Sequence, residues 1–314
     1  MSSQISKTAP ESATSSAGFA TISCSKPERH GVLDRQGDLD RVGRDGFLSL
    51  DFERRGTRTI LSRCRYTLPL QVQRAVSLDD GTAYAMLLNP TGGVLGGDFL
   101  STRIRLAEGA RACLTTPSAT RVYRALRHSS VQETQIEIGE GAALELLPDH
   151  VIPHAGASFR QLLCVELACT GRAILFDSFA AGRIAHGERW LLRDFDSRTE
   201  VFLAGKPVFL NRTLIEPHVR PLSPDCGTTE FHYVATAFFV GGDFNAWKEL
   251  LLALHSVLSE QPGIYAGASL LARHGCVARF LARTASDLAE TNAALWSAAR
   301  PLLLGSPAFN LRKY

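Results

Sequence analysis

The sequence predicts a mainly β fold: an elongated, layered body of stacked β-hairpins, β-helix-like or sandwich-like, with two α-helices in its C-terminal third. Three observations predict it. Apolar residues alternate at period two from Phe47 onward, which is typical of strands with one buried face. A strand, a glycine-containing turn and a second strand recur at a nearly constant interval. Apolar residues at helical spacing appear only after residue 243.

The first 45 residues differ from the rest. Residues 1–25 are rich in Ser, Thr and Ala, and residues 29–45 are mostly charged residues and glycine. Such a segment cannot bury enough apolar surface to offset the conformational entropy that ordering it would cost. We therefore expect a flexible leader over residues 1–45 and a single β domain over residues 46–314.

An internal repeat organises the middle of the chain. Residues 102–114 align without gaps on residues 134–146, and looser copies follow at 164–171 and 200–205. The turn glycines are 32, 30 and 34 residues apart, at Gly109, Gly141, Gly171 and Gly205. Each copy predicts a hairpin that cannot cover its own apolar face, so successive units are expected to stack around a common core. Residues 100–106 predict a strand with one wet face, as in an antiparallel sheet.

Two helices are predicted near residues 243–260 and 286–303. Asp243 is the expected N-cap of the first, which Pro262 and Gly263 should end. Pro301 should end or kink the second. Both helices are expected to pack on the sheet.

Composition excludes several classes of protein. The 314 residues carry a formal charge of only +3, which is too small a bias for a nucleic-acid or membrane-surface partner. The seven cysteines form no CxxC motif, and buried reduced thiols are expected. Neither a secretory signal nor an apolar stretch of the ~18–20 residues that span a bilayer is found. We expect a cytoplasmic protein.

A glycine-rich segment, Asn89 to Asp98, lies between two predicted strands. It is not a phosphate loop, because no Lys-Ser or Lys-Thr pair and no helix follows it. Its glycines, among them Gly93, Gly96 and Gly97, predict positive φ angles or a close approach of another segment. Asp98 either caps the turn or presents a carboxylate at a functional surface.

A second cluster ends at Arg121, Tyr123 and Arg124. This combination suits a carboxylate-bearing or partner surface, although solvated arginines beside a half-buried tyrosine are the simpler interpretation. Glu188 is a lone carboxylate, and without a partner it is weak evidence for acid–base chemistry. Neither a GxSxG elbow nor an HExxH motif occurs, so the residues alone predict no enzyme.

His150 and His154 are spaced as zinc ligands on a helix would be. However, Pro148 and Pro153 bracket the segment and forbid a helix. A weak, transient nickel contact through imidazole is the remaining hypothesis, and no tight metal site is expected.

Taken in order, these segments resemble the urease accessory protein UreD family, called UreH in some organisms. The resemblance covers residue 47 to the C-terminus and is carried by four blocks: Pro90–Asp98, Leu114–Arg124, Leu147–Ile152 and Gly182–Trp190. The first two blocks are specific, and the last two are supportive.

The resemblance implies a non-catalytic maturation chaperone or scaffold. Its implied partners are UreF, the GTPase UreG and the urease apoprotein UreABC, into which nickel is inserted at the expense of GTP. No tightly bound cofactor is implied: nickel is in transit, and GTP is bound by the partner. By position, Asp98 closes the family's glycine-rich block, Arg121, Tyr123 and Arg124 fall in its basic-aromatic block, and Glu188 falls in its Gly-Arg…Gly-Glu block.

A physical hypothesis follows from this role. Nickel could cross an internal path of weak oxygen and nitrogen contacts, provided that each stop is shallow. Asp98 and Glu188 are the candidate stops, with the glycines and the basic-aromatic residues as partner or path candidates. Two alternatives remain open: a stand-alone β-sandwich carbohydrate-binding module, and a β-solenoid enzyme that uses Asp98 or Glu188.

Overall fold

The computed structural model describes residues 44–221 and 230–311. The predicted leader, residues 1–45, lies outside this part of the chain except for its last two residues. The described residues confirm the predicted fold class, which is mainly β with two helices in the C-terminal third. None of their helices is long and apolar enough to cross a membrane.

The strands and helices are as follows. The strands are β1 (Asp45–Arg55), β2 (Arg58–Thr67), β3 (Gln71–Val72), β4 (Val76–Ser77), β5 (Ala83–Leu88), β6 (Phe99–Leu106), β7 (Arg111–Thr115), β8 (Thr120–Val122), β9 (Ser130–Ile138), β10 (Ala143–Leu147), β11 (Val151–Pro153), β12 (Ser158–Leu167), β13 (Arg172–Ala180), β14 (Asp194–Leu203), β15 (Lys206–Ile215), β16 (Tyr233–Gly241), β17 (Ile264–Leu270) and β18 (Gly275–Ala282). The helices are α1 (Trp247–Glu260) and α2 (Ala285–Leu304), with a short 3₁₀ turn at Ile184–His186.

These strands form two sheets. The first has the order β15-β14-β12-β9-β6-β1-β2, in which the five central strands are parallel and β2 and β15 are antiparallel to their neighbours. The second has the order β17-β18-β16-β13-β10-β7-β5-β3, with β13, β10, β7 and β5 parallel. The short strands β8 and β11 pair with each other at the margin of the second sheet.

The repeating unit is a coil rather than the predicted hairpin. β6 pairs with β1 and β9 in the first sheet, whereas β7, after the turn at Gly109, pairs with β5 and β10 in the second. The same holds for β9 and β10 and for β12 and β13. The alternation along β6 is therefore that of a parallel strand, not the expected antiparallel one, because either pairing wets one face and buries the other. Only the last copy, β14 and β15 around Gly205, is an antiparallel hairpin.

Stacking of the turns explains the constant interval between the repeats. The Gly109 N–H donates to the carbonyl of Glu140 at 2.8 Å, and the Gly139 N–H donates to the carbonyl of Leu106 at 2.9 Å. Gly109 and Gly141 both have positive φ, +65° and +62°, which favours glycine at equivalent points of successive turns. Each coil must therefore place its glycine turn beside the turn of the preceding coil, which keeps the interval between the glycines nearly constant.

Two apolar layers hold this body together. The first lies between the sheets, where Leu50, Ile104 and Val165 of the first sheet meet Leu144 and Leu175 of the second. The second layer lies on the outer face of the second sheet, which both helices cover, and includes Ile174, Phe239, Leu250, Leu254, Leu295 and Ala299. Both helices therefore pack on the sheet as expected.

The helix ends differ in detail from the sequence-based expectation. Asp243 does not cap α1, which begins four residues later with Ala246 as N-cap; its carboxylate accepts from Arg172 at 2.9 Å instead. The strand-borne arginine offers a stronger, charge-assisted partner than the helix amides. α2 begins at a capping box formed by Thr284 and Asp287, and it ends at Leu304, within one turn of Pro301.

Candidate functional site

A cavity of about 270 Å³ lies between the two sheets. Its walls carry polar side chains at inward-facing positions of the first sheet, where apolar residues would otherwise continue the core. Register places them in pairs, since Thr102 lies beside Thr134 and Gln132 lies beside Gln161 on adjacent parallel strands. The same strands become apolar further along, at Ile104, Ile136 and Val165.

Two carboxylate residues line this cavity, Asp149 and, on β13, Asp177. The environment of Asp177 is described by two hydrogen bonds. Its Oδ1 accepts a hydrogen bond from Gln161 Nε2 at 3.1 Å, and its Oδ2 accepts one from Ser197 Oγ at 3.0 Å. Burial raises the pKa of Asp177, and these two hydrogen bonds only partly oppose it. No Lys, Arg or His side chain of the described residues forms an ion pair with it within 4.0 Å, so the site favours a cation or a proton.

The glycine-rich segment and the basic-aromatic block meet at the rim of the cavity. Val94 N–H donates to the carbonyl of Arg121 at 2.8 Å, and Tyr123 N–H donates to the carbonyl of Val94 at 2.9 Å. Gly93 and Arg121 line the cavity itself. A Cβ at Gly93, whose φ is +154°, would lie 2.6 Å from both the Arg121 carbonyl oxygen and the Tyr123 ring. Glycine is therefore required where these two segments cross.

Asp98 closes the glycine-rich loop. Its Oδ2 accepts a hydrogen bond from the Leu95 N–H at 2.8 Å, and burial raises its pKa. Its neighbours are equally confined: Gly97 has φ +90°, and a Cβ at Gly96 would lie 2.8 Å from the Cα of Ala125. Asp98 is not among the residues that line the cavity, so of the two interpretations that the sequence left open, the geometry favours the loop cap.

Arg124 lies on the next loop of the stack rather than at the cavity. A Cβ at Gly156, whose φ is +71°, would meet the Arg124 side chain at 3.0 Å. Arg124 and Ala157 also form an isolated antiparallel bridge. Arg124 therefore covers the loop that leads into β12.

Glu188 forms an ion pair within its own loop and accepts a hydrogen bond from a second loop. Arg183 Nε donates to Glu188 Oε2 at 2.8 Å, its Nη2 donates to Oε1, and the Ala155 N–H donates to Oε2 at 3.1 Å. The hydrogen bonds from Arg183 lower the pKa of Glu188 to about 2. The carboxylate therefore stays ionised near neutral pH, where it is a poor general acid or base. It too lies outside the cavity lining.

The two histidines contact different tyrosines. The His154 ring lies edge-on to Tyr123, with 4.8 Å between centroids, and the His150 ring lies edge-on to Tyr233 at 5.3 Å. Burial lowers the pKa of both imidazoles. Within residues 44–221 and 230–311, no group of three or more His, Cys, Asp or Glu side chains is arranged to hold a metal ion.

The structure thus gathers Gly93, Arg121, Tyr123, His154 and Glu188 at one margin. Gly93 and Arg121 also line the cavity, but its inward-facing polar side chains between the sheets belong to residues that the sequence reasoning missed. Those residues are Thr102, Gln132, Thr134, Gln161 and Asp177. A signal for Asp177 was present in the sequence, because a carboxylate, followed by Ser178, interrupts the apolar residues between Ile174 and Phe179. Ionised side chains are rarely buried, so such an interruption is informative.

Comparison with known proteins agrees with the sequence blocks. The family described as UreD urease accessory protein matches residues 44–313. The chain is 35% identical over 267 residues to the urease accessory protein UreD of Herpetosiphon aurantiacus, covering 83% of this chain and 93% of that relative. It is 35% identical to the UreD of Azoarcus sp. over 269 residues, with 85% and 92% covered. It is 32% identical to the UreD of Ralstonia nicotianae over 275 residues, again with 85% and 92% covered. The chain therefore belongs to the UreD family of urease accessory proteins.

Proposed function

We propose that this chain is a non-catalytic scaffold of urease maturation, acting in the cytoplasm with UreF and UreG to promote GTP-dependent nickel insertion into apo-urease. In this proposal UreG binds and hydrolyses GTP. The glycine-rich segment supports that division of labour, because it passes into strand β6 and offers no helix N-terminus to a phosphate.

The observation that carries the proposal is the polar cavity between the sheets. Its lining offers hydroxyl and amide oxygens and two carboxylate residues, Asp149 and Asp177, with Arg121 also in the lining and without a thiolate or imidazole cage. Such donors bind nickel weakly, whereas Cys and His clusters would retain it. A cargo ion passes a series of sites only when each site is shallow enough to release it.

Asp177 has the central role in this path. Its two neutral hydrogen-bond donors hold the carboxylate in place without neutralising it. A divalent cation that enters the cavity would satisfy the charge that the protein leaves unpaired. Asp98 and Glu188, the stops expected from the sequence, become positioning residues, since each is engaged in fixing a loop.

The test is reconstituted activation of apo-urease with UreF, UreG, GTP and nickel, in the presence and absence of this chain. We expect urease activity to depend on the chain. Activation that proceeds equally well without it would overturn the proposal, as would turnover of a small substrate by the isolated chain.

A matched pair of variants tests the path separately from the scaffold. Asp177→Asn removes the charge of Asp177 while keeping side-chain volume, and Glu137→Gln removes a carboxylate that is 66% exposed on the same body. We expect Asp177→Asn to lower the activation rate about tenfold, typical of losing a metal-site carboxylate interaction, and Glu137→Gln to leave it unchanged. UreF binding, measured by calorimetry, should be equal for both. If Asp177→Asn activates normally, the cavity is not on the path.

A further inference from the structure

The exposed edges of the two sheets are not protected equally. Exposed edge strands are usually protected by charge, by proline or by short length, because their unpaired backbone groups can pair with the strands of other chains. Three of the four edges follow this rule: β2 carries Arg58, Arg63 and Arg65, β15 carries Lys206, Pro207 and Arg212, and β3 has only two residues. The fourth edge strand, β17, has seven residues and neither charge nor proline.

The hydrogen bonds between β17 and β18 show which backbone groups of β17 face outward. Arg283 N–H donates to the carbonyl of Gly263 at 3.1 Å, and Leu271 N–H donates to the carbonyl of Gly275 at 2.9 Å. No bulge interrupts the register between these points, so odd-numbered residues of β17 bond to β18. The outward N–H and C=O groups are those of Ile264, Ala266, Ala268 and Leu270. Within residues 44–221 and 230–311, no strand pairs with this outer edge.

At the positions whose backbone groups face outward, β17 is nearly symmetric in residue size about its centre, whereas Tyr265 and Ser269 on the other positions differ in size. Gly267 is the middle residue; it is flanked by Ala266 and Ala268, and the strand ends in Ile264 and Leu270. We propose that β17 pairs antiparallel with β17 of a second copy of this chain, centred on Gly267, which joins the second sheets of two protomers edge to edge. Every outward backbone group named above then finds a partner, Ile264 lies opposite Leu270, and alanine lies opposite alanine.

Charge favours a second copy at this edge and disfavours it at the others. Antiparallel pairing of β2 or β15 with itself would bring arginines together, and like charges on paired strands are destabilising. Pairing of β17 with itself would bring no charged side chains together, because the strand contains none. The two-fold axis of such a pair is normal to the sheet, so the two α1 helices, each packed on its own sheet, lie on the same side of the joined sheet.

A disulfide tests the register. Gly267 would be a non-hydrogen-bonded pair with its own counterpart, with Cα atoms about 4.5 Å apart, inside the range that a disulfide spans. A Cβ at Gly267 meets nothing within 4 Å, so Gly267→Cys fits. Ser269→Cys is the matched control: it faces the same side, but its counterparts would be about 14 Å apart. Both variants are made in a background in which Cys24, Cys64, Cys169 and Cys226 are serine.

We expect mild oxidation of the full chain to give covalent dimers rapidly with Gly267→Cys and not with Ser269→Cys. Equal cross-linking of the two variants, or none of either, would refute the proposed pairing.

Sedimentation of the full chain tests the dimer without cysteines. Ala266→Pro removes an outward N–H and leaves the β17–β18 ladder intact. Should proline unfold the strand, Ala266→Arg instead places two arginines at diagonal positions of the paired strands, within reach of each other's charge. Leu210→Arg, at a residue 62% exposed on the protected edge β15, is its control. We expect either Ala266 variant to weaken dimerisation at least tenfold and Leu210→Arg to leave it unchanged. A wild-type chain that is monomeric at tens of micromolar, or a dimer that persists in both Ala266 variants, would overturn the inference. The result is independent of the nickel path, which activation assays measure.

Discussion

Two buried carboxylates on neighbouring strands of the second sheet have opposite environments. Glu145, on β10, faces the helices, where it accepts from Arg300 Nε at 3.0 Å and from Trp296 Nε1 at 2.5 Å. Asp177, on β13, faces the cavity, and among the described residues it accepts only from the neutral groups of Gln161 and Ser197. The sheet therefore has one side on which a buried charge is neutralised and one on which it is left unpaired.

This difference distinguishes the helix side of the sheet, where paired charges stabilise the fold, from the cavity side, where a carboxylate is available to a ligand. Arg300 also pairs with Asp80 at 2.7 Å, so the helix-side charges join α2 to the loop before β5. A buried pair of this kind is costly to break, because removal of one partner leaves the other without compensation. An unpaired carboxylate is costly to keep, and its retention in a cavity is typical of a binding function.

The largest effect should come from breaking the paired side. Arg300→Leu leaves Glu145 buried without its cation, and we expect it to destabilise the fold by about 3–5 kcal/mol, seen as a fall of roughly 10 °C in melting temperature. The double variant Arg300→Leu/Glu145→Leu should recover more than half of this loss. If Arg300→Leu melts like the wild type, the two sides do not differ as described.

A smaller effect is expected at the rim of the cavity. Gly93→Ala places a Cβ 2.6 Å from the Arg121 carbonyl, so we expect it to cost about 1–3 kcal/mol and to lower apo-urease activation. Gly92→Ala is the matched control, because its Cβ meets nothing within 4 Å and only its φ of +83° is unfavourable. Equal melting temperatures for the two variants would show that the crossing of the segments is not tight.

Unlike the preceding variants, Asp177→Asn should stabilise the folded state. Because burial raises the pKa of Asp177, its ionised form destabilises the folded state at neutral pH. We expect Asp177→Asn to raise the free energy of unfolding at pH 8 by about 1 kcal/mol. The difference should vanish as the pH falls to about 4, the ordinary value of an Asp. Denaturant titrations at several pH values measure it. A variant that is both less stable and less active would point to a structural role for the carboxylate.

The smallest effect is expected at the half-buried ion pair between Arg183 and Glu188. The pKa of Glu188, lowered to about 2 by Arg183, means that its contribution to stability is complete above the ordinary Glu value of about 4.3 and is lost as the pH falls towards 2. Glu188→Gln should therefore lower the melting temperature slightly at pH 7. No difference should remain near pH 2, and salt should reduce the effect at neutral pH. A larger loss than for Arg300→Leu would reverse the comparison.

The sequence predicted the stacking better than the pairing. The interval between Gly109, Gly141 and Gly171 follows from turns that lie on one another, and period-two alternation identified β6 as half-buried. Alternation is the same for a parallel and an antiparallel strand, so it could not reveal that β6 and β7 belong to different sheets. That distinction depends on long-range pairing, which a local pattern does not contain.

The candidate site was predicted in part for a similar reason. Glycines and arginines in short blocks identified the segments that cross at Gly93 and Tyr123, because those contacts depend on local backbone freedom and residue type. The cavity depends on which inward positions of separate coils come into register, as Thr102 does with Thr134. In its local sequence Thr102 is typical of any strand residue. It becomes part of a polar wall only because separate coils stack in three dimensions.

Reversal of strand direction at both ends of the first sheet has a consequence for how this family can vary in size. β2 and β15 run against the parallel strands that they border, so a further coil cannot be added in register beyond either one. The span of the interior is consequently set by the number of coils between these two strands. Evolution could widen it only by inserting or deleting a whole coil, about 30 residues as measured from Gly141 to Gly171, whereas a longer loop would change the rim alone.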